Sequence, residues 1–434
     1  MTILRASVLL SIFLVTACSS ASTAGPTDPG FDAAPGELAK SSLARDTSPD
    51  VSAAGIERLG QDQTDFAWSF YQEAIQPGEN LFFSPYSLSV ALAMTYAGAR
   101  GDTETQIADA LRFTSGQRDL HLTLNALDLE LMRRAEAGGE EAPLPFRLEV
   151  TNALFGQVGF DIADPYLDTL ALQYGVGLRL MDFVTETEPS RLAINDWVAD
   201  QTEDRIPELI PPGLITMGTR LVLVNAIYFT ASWVKPFDEA NTEDQPFHRL
   251  DGSEGPVPTM KQFIETSYVD GDGFEAGLLP YDGGALAMLV IVPDEGQFGR
   301  IEAGLSGVRV REIVASLGFF EVELAFPKFS FRSQVPAKAP LQSLGMVDAF
   351  MPGGVADFSG ITDAAQLFIQ DVVHEAFVAV DERGTEAAAA TAVVFGVDSA
   401  PPRATLTVDR PFIFAIVDRP TGATLFAGRV LDPT

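Results

Sequence analysis

The chain has 434 residues, 46% of them hydrophobic, and carries 60 acidic against 28 basic side chains, a formal net charge of −32 at pH 7. A surface this acidic repels nucleic acid and anionic lipid, so the charge argues against a nucleic-acid-binding protein and against a protein that binds anionic membranes through its surface. The charge is typical of a solubilising acidic surface, and the alternative is an acidic site for a basic partner.

The first predicted element is an export signal. Arg5 precedes an apolar run from Val8 to Val15, which is too short to span a bilayer and fits a secretory signal. The run ends in Val15-Thr16-Ala17-Cys18, which matches a bacterial lipobox, where a peptidase cuts before the cysteine and the cysteine receives acyl chains. Residues 1–17 are therefore predicted to be a lipoprotein signal peptide, with Cys18 as the lipidated residue.

This signal predicts where the protein resides. Several acyl chains on Cys18 would hold an exported chain stably at the cell envelope, so membrane contact is expected only through this anchor. Ser19 rather than Asp follows the cysteine, and by the usual sorting pattern this favours the outer membrane, with the domain facing the periplasm or the exterior. The alternative is a plain secretory signal, cleaved near Ala21 or Ala24.

The cysteine and histidine content excludes several kinds of site. Cys18 is the only cysteine in the chain, which rules out disulfides, a catalytic cysteine and thiolate zinc sites. The three histidines, His121, His248 and His374, are far apart and lack the spacing of a metal site. No metal and no cofactor is expected.

Composition divides the rest of the chain into two parts. Residues 18–60 are rich in Ser, Thr, Ala, Gly and Pro and have no sustained periodicity, which predicts a flexible tether. Apolar segments then recur without a comparable break, so residues 61–434 are predicted to form one large domain.

Periodicity within this domain predicts helices early and strands late. Three segments have helical spacing, and the second opens with the cap-plus-proline pair Ser84-Pro85: Gln63–Ala74, Tyr86–Ala97 and Asp102–Leu111. Four short apolar or alternating runs are predicted strands: Leu221–Thr230, Ala285–Val292, Glu321–Phe326 and Pro411–Val417. This order indicates an α+β fold.

Enzyme motifs are absent or incomplete. The chain has neither a GxSxG nor a GxxxxGK[ST] sequence. Ser232 and Lys235 fit an SxxK pattern, but no SDN or KTG accompanies it, so the match is interpreted as a coincidence. The protein is not expected to be an enzyme.

A segment near the C-terminus carries two patterns at once. From Thr385 to Phe395, one alternating face is uncharged, first small and then apolar: Thr385, Ala387, Ala389, Thr391, Val393 and Phe395. That is what a strand needs if this face is to be buried in a sheet. Yet residues 396–403 form a proline-bearing stretch typical of an exposed loop.

These residues resemble the serpin family. Glu382–Thr391 is similar to the family's proximal hinge, and Leu406–Ile416 to its C-terminal signature. Further segments match in the same order: residues 80–111 with Phe83-Ser84-Pro85-Tyr86-Ser87, residues 224–237, residues 326–330 and residues 344–358.

The resemblance implies a serpin fold, with three β-sheets, surrounding helices and an exposed reactive-centre loop at about residues 382–402. It implies a suicide inhibitor of serine proteases and a monomer. A protease attacks the loop and forms an acyl-enzyme, and the freed hinge then inserts as a new strand and carries the protease to the far pole.

The resemblance also assigns residue roles. The hinge residues would be Glu382, Gly384, Thr385, Ala387 and Ala389. The shutter, a polar cluster under the central strands, would contain Ser84, Ser87, Asn225 and His374. The breach, where the loop enters the sheet, would contain Trp233, Lys328 and Glu382, with a Lys328–Glu382 ion pair. The alternative for that pair is an exposed salt bridge that contributes little.

The reactive bond has more than one candidate. The family's usual spacing from Glu382 places the cut between Asp398 and Ser399, and counting back from Pro411 leaves Val397–Asp398 and Ser399–Ala400 open. Val397 would suit an elastase-like or subtilisin-like protease, whereas Asp398 would require an acidic-specific one.

A second function remains open, that of a non-inhibitory serpin acting as a surface binding or chaperone-like protein. Non-inhibitory members tend to carry charged or bulky residues on the inserting face. Because the face from Thr385 to Phe395 is uncharged, the sequence favours inhibition.

Overall fold

A computed structural model of the chain describes residues 33–137, 147–385 and 401–434. Nine α-helices lie in these residues: α1 Ala53–Ala74, α2 Pro85–Tyr96, α3 Gly101–Ala110, α4 Gln117–Ala137, α5 Asp164–Tyr174, α6 Thr187–Gln201, α7 Phe298–Ala303, α8 Gly307–Ser316 and α9 Lys338–Ser343. Two short 3₁₀ helices cover Glu239–Asn241 and Asp348–Phe350.

Strands dominate the second half of the described chain. The first eight are β1 Glu37–Ala39, β2 Leu81–Phe83, β3 Arg147–Gln157, β4 Leu178–Met181, β5 Leu221–Ser232, β6 Glu243–His248, β7 Glu254–Gly271 and β8 Phe274–Pro280. The second eight are β9 Leu286–Pro293, β10 Gly318–Pro327, β11 Phe329–Pro336, β12 Val372–Val380, β13 Gly384–Thr385, β14 Arg403–Thr407, β15 Phe412–Asp418 and β16 Thr424–Val430. The predicted α+β class is confirmed.

The strands form two hydrogen-bonded sheets in the described residues. Sheet A has seven strands in the order β1-β4-β3-β5-β13-β12-β11, and sheet B has nine, in the order β14-β10-β7-β8-β9-β15-β16-β2 with β6 paired to β7. The resemblance implied three sheets. Two are found because β7 is one continuous strand of 18 residues that pairs with β6 at its start, β10 in its middle and β8 at its end.

The first two helices each begin at a capping serine. Ser84 is the N-cap of α2, its side chain accepts a hydrogen bond from Ser87 N–H, and Pro85 occupies the first helical position. Ser52 caps α1 in the same way by accepting from Gly55 N–H. None of the helices in the described ranges combines the length and apolar composition that crossing a bilayer requires.

The N-terminal region differs from the prediction. The flexible tether expected over residues 18–60 does not extend that far, since β1 pairs with the edge strand β4 and α1 begins at Ala53. The Arg45 side chain also hydrogen-bonds Asn125 and Asp128 on α4. These contacts come from distant parts of the chain, so local composition does not reveal them; residues 18–32 lie outside the described ranges.

An aromatic core joins sheet A, sheet B and the first helices. Phe82 stacks on Phe426 with ring centroids 5.1 Å apart and on Phe414 at 5.7 Å. Phe70 on α1 packs on Phe83 at 5.1 Å. Phe229 on β5 of sheet A packs on Phe426 with ring centroids 5.3 Å apart, and α2 contacts both β5 and β16. Sheet A therefore rests on an inner layer that contains α1, α2 and sheet B.

Candidate functional site: a sheet open at one end

Strands β5 and β12 are directly paired at one end and separated at the other. Five parallel pairs, Leu223–Ile227 with Val372–Ala376, join the two strands. Beyond them β13 lies between the strands, antiparallel to both, with Thr385 opposite Ala231 on β5 and Val380 on β12. We call the gap that holds Gly384 and Thr385 the slot.

The two residues in the slot are tightly enclosed. Thr385 is 1% exposed, and its hydroxyl lies 2.9 Å from the hydroxyl of Tyr281. A Cβ atom on Gly384 would lie 2.1 Å from Ala231 O, a distance that only movement of the backbone would relieve. Gly384 and Thr385, which the resemblance assigns to the hinge, thus lie within sheet A and not outside it.

The breach residues meet at the mouth of the slot. Glu382 accepts hydrogen bonds from Lys328 Nζ and from the Thr242 hydroxyl, each at 2.7 Å. Burial disfavours ionisation of the Glu382 carboxyl, but these two hydrogen bonds, a hydrogen bond from its own backbone and the charge of Lys328 together outweigh burial and lower the pKa. The Glu382 side chain is only 7% exposed, whereas that of Lys328 is 37% exposed. The carboxylate of the pair is therefore largely shielded from solvent, whereas the ammonium group is partly exposed to it.

Trp233 fixes the turn that leads into the slot. Its indole Nε1–H donates to Asp381 O at 3.0 Å, and its backbone N–H donates to Arg383 O at 2.9 Å. The ring stacks on Tyr281 with centroids 4.6 Å apart. Trp233 and Tyr281 thus hold both the chain before Gly384 and the side chain of Thr385.

The shutter residues meet under the closed end of β5 and β12. Asn225 and His374 are cross-strand partners, and their side chains hydrogen-bond each other. The Asn225 amide also donates to Ser87 Oγ. Ser84 N–H donates to His374 Nε2 at 2.9 Å, while the Ser84 hydroxyl donates to Leu425 O at 2.7 Å. The four residues therefore form one buried network that connects α2 to the two strands.

This network defines the protonation state of His374. Because Nε2 accepts from Ser84 N–H, the proton lies on Nδ1, which donates to Asn225 Oδ1. Burial lowers the pKa of His374 to about 3, so the imidazole is neutral at physiological pH. His374 therefore joins Ser84 to Asn225 as a neutral ring.

Three contributing residues were not predicted from the sequence. Asn152 on β3 lies opposite Asn225 and accepts a hydrogen bond from its amide, which extends the shutter across three strands. Thr242 and Tyr281 complete the breach. Asn152 lies in a strand that is buried on both faces, so alternation gave no signal.

Part of the predicted site lies outside the described residues. This applies to the hinge residues Ala387 and Ala389, the reactive-bond candidates Val397, Asp398 and Ser399, and the lipidation candidate Cys18.

Comparison with known proteins gives a consistent result. The family model described as serpin (serine protease inhibitor) matches residues 61–433. An uncharacterized serpin-like protein of Thermococcus kodakarensis is 37% identical over 371 residues, covering 85% of this chain and 84% of the relative. The leukocyte elastase inhibitor of Sus scrofa is 35% identical over 389 residues, covering 87% of this chain and all of the relative.

Solved structures agree with the sequence relatives. The thermophilic serpin tengpin in its native state superposes with a TM-score of 0.77 at 27% identity, covering 91% of this chain and 97% of tengpin. Human thyroxine-binding globulin in complex with thyroxine superposes with a TM-score of 0.76 at 28% identity, covering 88% of this chain and 100% of the globulin.

Proposed function

The chain belongs to the serpin family, and we propose that it is an inhibitory member, a suicide substrate of serine proteases whose cleaved loop inserts into sheet A. The observation that carries the proposal is the slot, because it holds two residues whose register, if continued, runs on between β5 and β12. The protein's role is then that of a protease inhibitor and not of an enzyme.

The register of β13 supports continued insertion. Extended along both neighbours, it brings residue 389 between Ile227 and Ala376, and residue 391 between Asn225 and His374. Thr385 is buried, so residues 387, 389 and 391 share its inward face by alternation. Ala387, Ala389 and Thr391 are small and uncharged, and they fit such a face.

Insertion costs free energy because β5 and β12 are directly paired at the closed end of the slot. The five pairs between β5 and β12 must separate, and the strand spacing there must double from about 4.8 Å. The Asn225–His374 hydrogen bond must break with them. Each new ladder hydrogen bond contributes about 0.5–1.5 kcal/mol net, and an entering strand forms them on both edges, which offsets this cost.

The expected target is an elastase-like or subtilisin-like serine protease. The relative named leukocyte elastase inhibitor is about as similar to this chain as the Thermococcus kodakarensis relative is. Val397, if it precedes the cut, suits an elastase-like or subtilisin-like enzyme. An acidic-specific protease is the alternative if Asp398 precedes the cut.

A test of inhibition uses two measurements on the purified domain. Incubation with a panel of serine proteases should give a complex that survives SDS. Cleavage of the loop by a protease that is not trapped should raise the thermal midpoint by tens of degrees, since a new central strand stabilises sheet A. Clean cleavage with neither a complex nor a rise in midpoint would exclude the insertion mechanism.

The alternative function is binding without inhibition. Its specific support is that the related thyroxine-binding globulin has been solved in complex with thyroxine. An intact loop after prolonged incubation with the whole panel would favour this alternative.

We also propose that the chain is exported and lipid-anchored through Cys18 at the cell envelope. The proposal rests on the lipobox pattern at residues 15–18. Labelled palmitate should enter the wild-type protein but not Cys18→Ala, which should leave the membrane fraction. Absence of label from the wild-type chain would contradict the anchor.

A further inference from the structure

No part of the chain that the structure describes covers the outer face of β7, β10 and β14, and this face has an unusual composition. Three consecutive cross-strand pairs lie on it: Phe319 with Ser267, Glu321 with Glu265, and Glu323 with Phe263. Phe263 and Phe319 are 54% and 53% exposed. The face thus has three carboxylates at its centre and an aromatic ring at each end.

This arrangement is unfavourable for the isolated chain. Like charges directly opposite each other in a sheet are destabilising, and Glu265 and Glu321 are such a pair. Neither strand needs this composition for its packing, since the inward residues Val322, Leu324 and Ile264 are buried. The outer residues are therefore explained better by a partner than by stability.

The charges on this face are only partly neutralised. Arg403 on β14 pairs with Glu321 at 2.6 Å. Glu265 and Glu323 form no ion pair with another residue in the described ranges. Beside them, a groove of about 350 Å³ is lined by Phe263, Glu323 and the paired Glu243 and Lys261. Exposed aromatic rings next to unpaired carboxylates match the chemistry of Arg and Lys side chains.

The position of the face relative to the loop identifies its partner. Arg403 lies opposite Glu321, and Val397, the earliest residue of the three candidate bonds, is six residues before it in the chain. Each candidate bond is therefore tethered within about 21 Å of Arg403 at about 3.5 Å per residue. A folded domain of 100–250 residues is roughly 30 to 45 Å across. A protease engaged on the loop therefore has its body over, or next to, this face.

We propose that the outer face of β7, β10 and β14, which carries Phe263, Glu265 and Glu323, docks a basic surface of the target protease beside the protease's active site. The inference rests on the proposal that a protease attacks this loop, and it adds a source of selectivity independent of the cleaved bond. Opposite charges on the two surfaces would raise the association rate, and Phe263 would add contact area once the proteins meet.

The test measures the rate of attack on the loop, whichever product forms. A basic and an acidic serine protease that both cleave the loop are mixed with the wild-type chain and with variants, and disappearance of the intact chain gives the second-order rate constant. The variants are Glu265→Gln with Glu323→Gln, and Phe263→Ser. Glu57→Gln with Glu73→Gln on α1 is the matched control, since both side chains are exposed and the change in net charge is equal.

At low ionic strength we expect the rate constant for attack by the basic protease on the Glu265/Glu323 variant to be at least about fivefold lower than on the wild type. The difference should vanish near 1 M salt, where screening acts within about 3 Å. The acidic protease should not be slowed, and Phe263→Ser should slow the basic protease at both salt concentrations. A rate within twofold of the wild type, or an equal effect in the α1 control or with the acidic protease, would overturn the docking surface.

Denaturing gels of the same reactions show how much of the chain ends as SDS-stable complex and how much as cleaved chain. This partition tests the proposed inhibition separately, because a chain that is merely cleaved still reports the docking rate.

Discussion

Lys328 Nζ lies 2.7 Å from Glu382 Oε2 at the point where the chain leaves β12 and turns into the slot. Lys328 is the single residue between β10 and β11, so the contact joins this connection to the base of the loop. The Thr242 hydroxyl donates a hydrogen bond to the other carboxylate oxygen of Glu382. Because Glu382 is buried and Lys328 is partly exposed, we expect a contribution between that of a surface pair and that of a buried one.

Glu382→Gln tests this contact. The loss of a charge-assisted hydrogen bond should lower the free energy of unfolding by about 1–2 kcal/mol and the thermal midpoint by several degrees. Because the folded-state pKa of Glu382 is lowered, its contribution is present above the unfolded pKa and is lost as the pH falls through the folded value. The difference between variant and wild type should therefore shrink below about pH 4.

The control for this variant is Glu312→Gln, which breaks the exposed pair with Arg309. It should leave the midpoint within about one degree of the wild type. Equal effects of the two substitutions would mean that the breach pair is an ordinary surface contact.

Gly384→Ala tests the enclosure of the slot. The new Cβ would lie 2.1 Å from Ala231 O, so β13 cannot keep its place without moving the backbone of β5. We expect a lower thermal midpoint and a change in Trp233 fluorescence, since Trp233 is bound to the chain at Asp381 and Arg383. Gly116→Ala, at a position with nothing within 4 Å of the added atom, should change neither signal. An unaltered Gly384→Ala protein would show that the hinge is not held in the sheet.

Buried histidines should make the protein sensitive to mild acid. Burial lowers the pKa of His374 to about 3 and that of His121 to about 4. Unfolded histidines bind protons below about pH 6.5, whereas these two stay neutral in the folded protein, so stability should fall as the pH drops from 6.5 toward 4. Each should contribute a slope of up to about 1.4 kcal/mol per pH unit.

NMR of the three imidazole rings checks this assignment directly. The signals of His374 and His121 should not titrate between pH 8 and pH 5, and a His121→Gln variant should have a shallower dependence of unfolding free energy on pH than the wild type. Titration of His374 near pH 6.5 would contradict the neutral ring in the shutter, and titration of His121 there would contradict its share of the acid sensitivity.

The sequence predicted those parts of the fold that local signals encode. The Ser84-Pro85 start placed α2 to within one residue, and the apolar run from Leu221 placed β5. The composition of residues 18–60 failed to predict β1 because a three-residue strand is specified by its partner β4 and not by its own periodicity.

The site followed the same rule. Ser84, Ser87, Asn225 and His374 were assigned by resemblance, and the structure brings them together. The insertion of Gly384 and Thr385 was not predicted, since their neighbours Ala231 and Val380 have no local relation to them. Asn152 was missed for the same reason, because its role depends on lying opposite Asn225.

Ala389→Arg gives the most direct test of strand insertion. Ile227 and Ala376 pair directly with each other in the intact protein, so we expect the substitution to leave the stability of the intact protein unchanged. During insertion the guanidinium would have to enter between Ile227 and Ala376, both fully buried, where an unpaired charge costs at least several kcal/mol. Insertion should stall, and the acyl-enzyme would then have time to hydrolyse. The stoichiometry of inhibition should rise well above one, with cleaved chain as the product.

Ala390→Arg is the matched control, because alternation places residue 390 on the opposite face, beside the carboxylate of Glu375. A stoichiometry near one for Ala389→Arg, or an equal rise for both variants, would contradict the inward face deduced from Thr385 and remove the main structural support for inhibition.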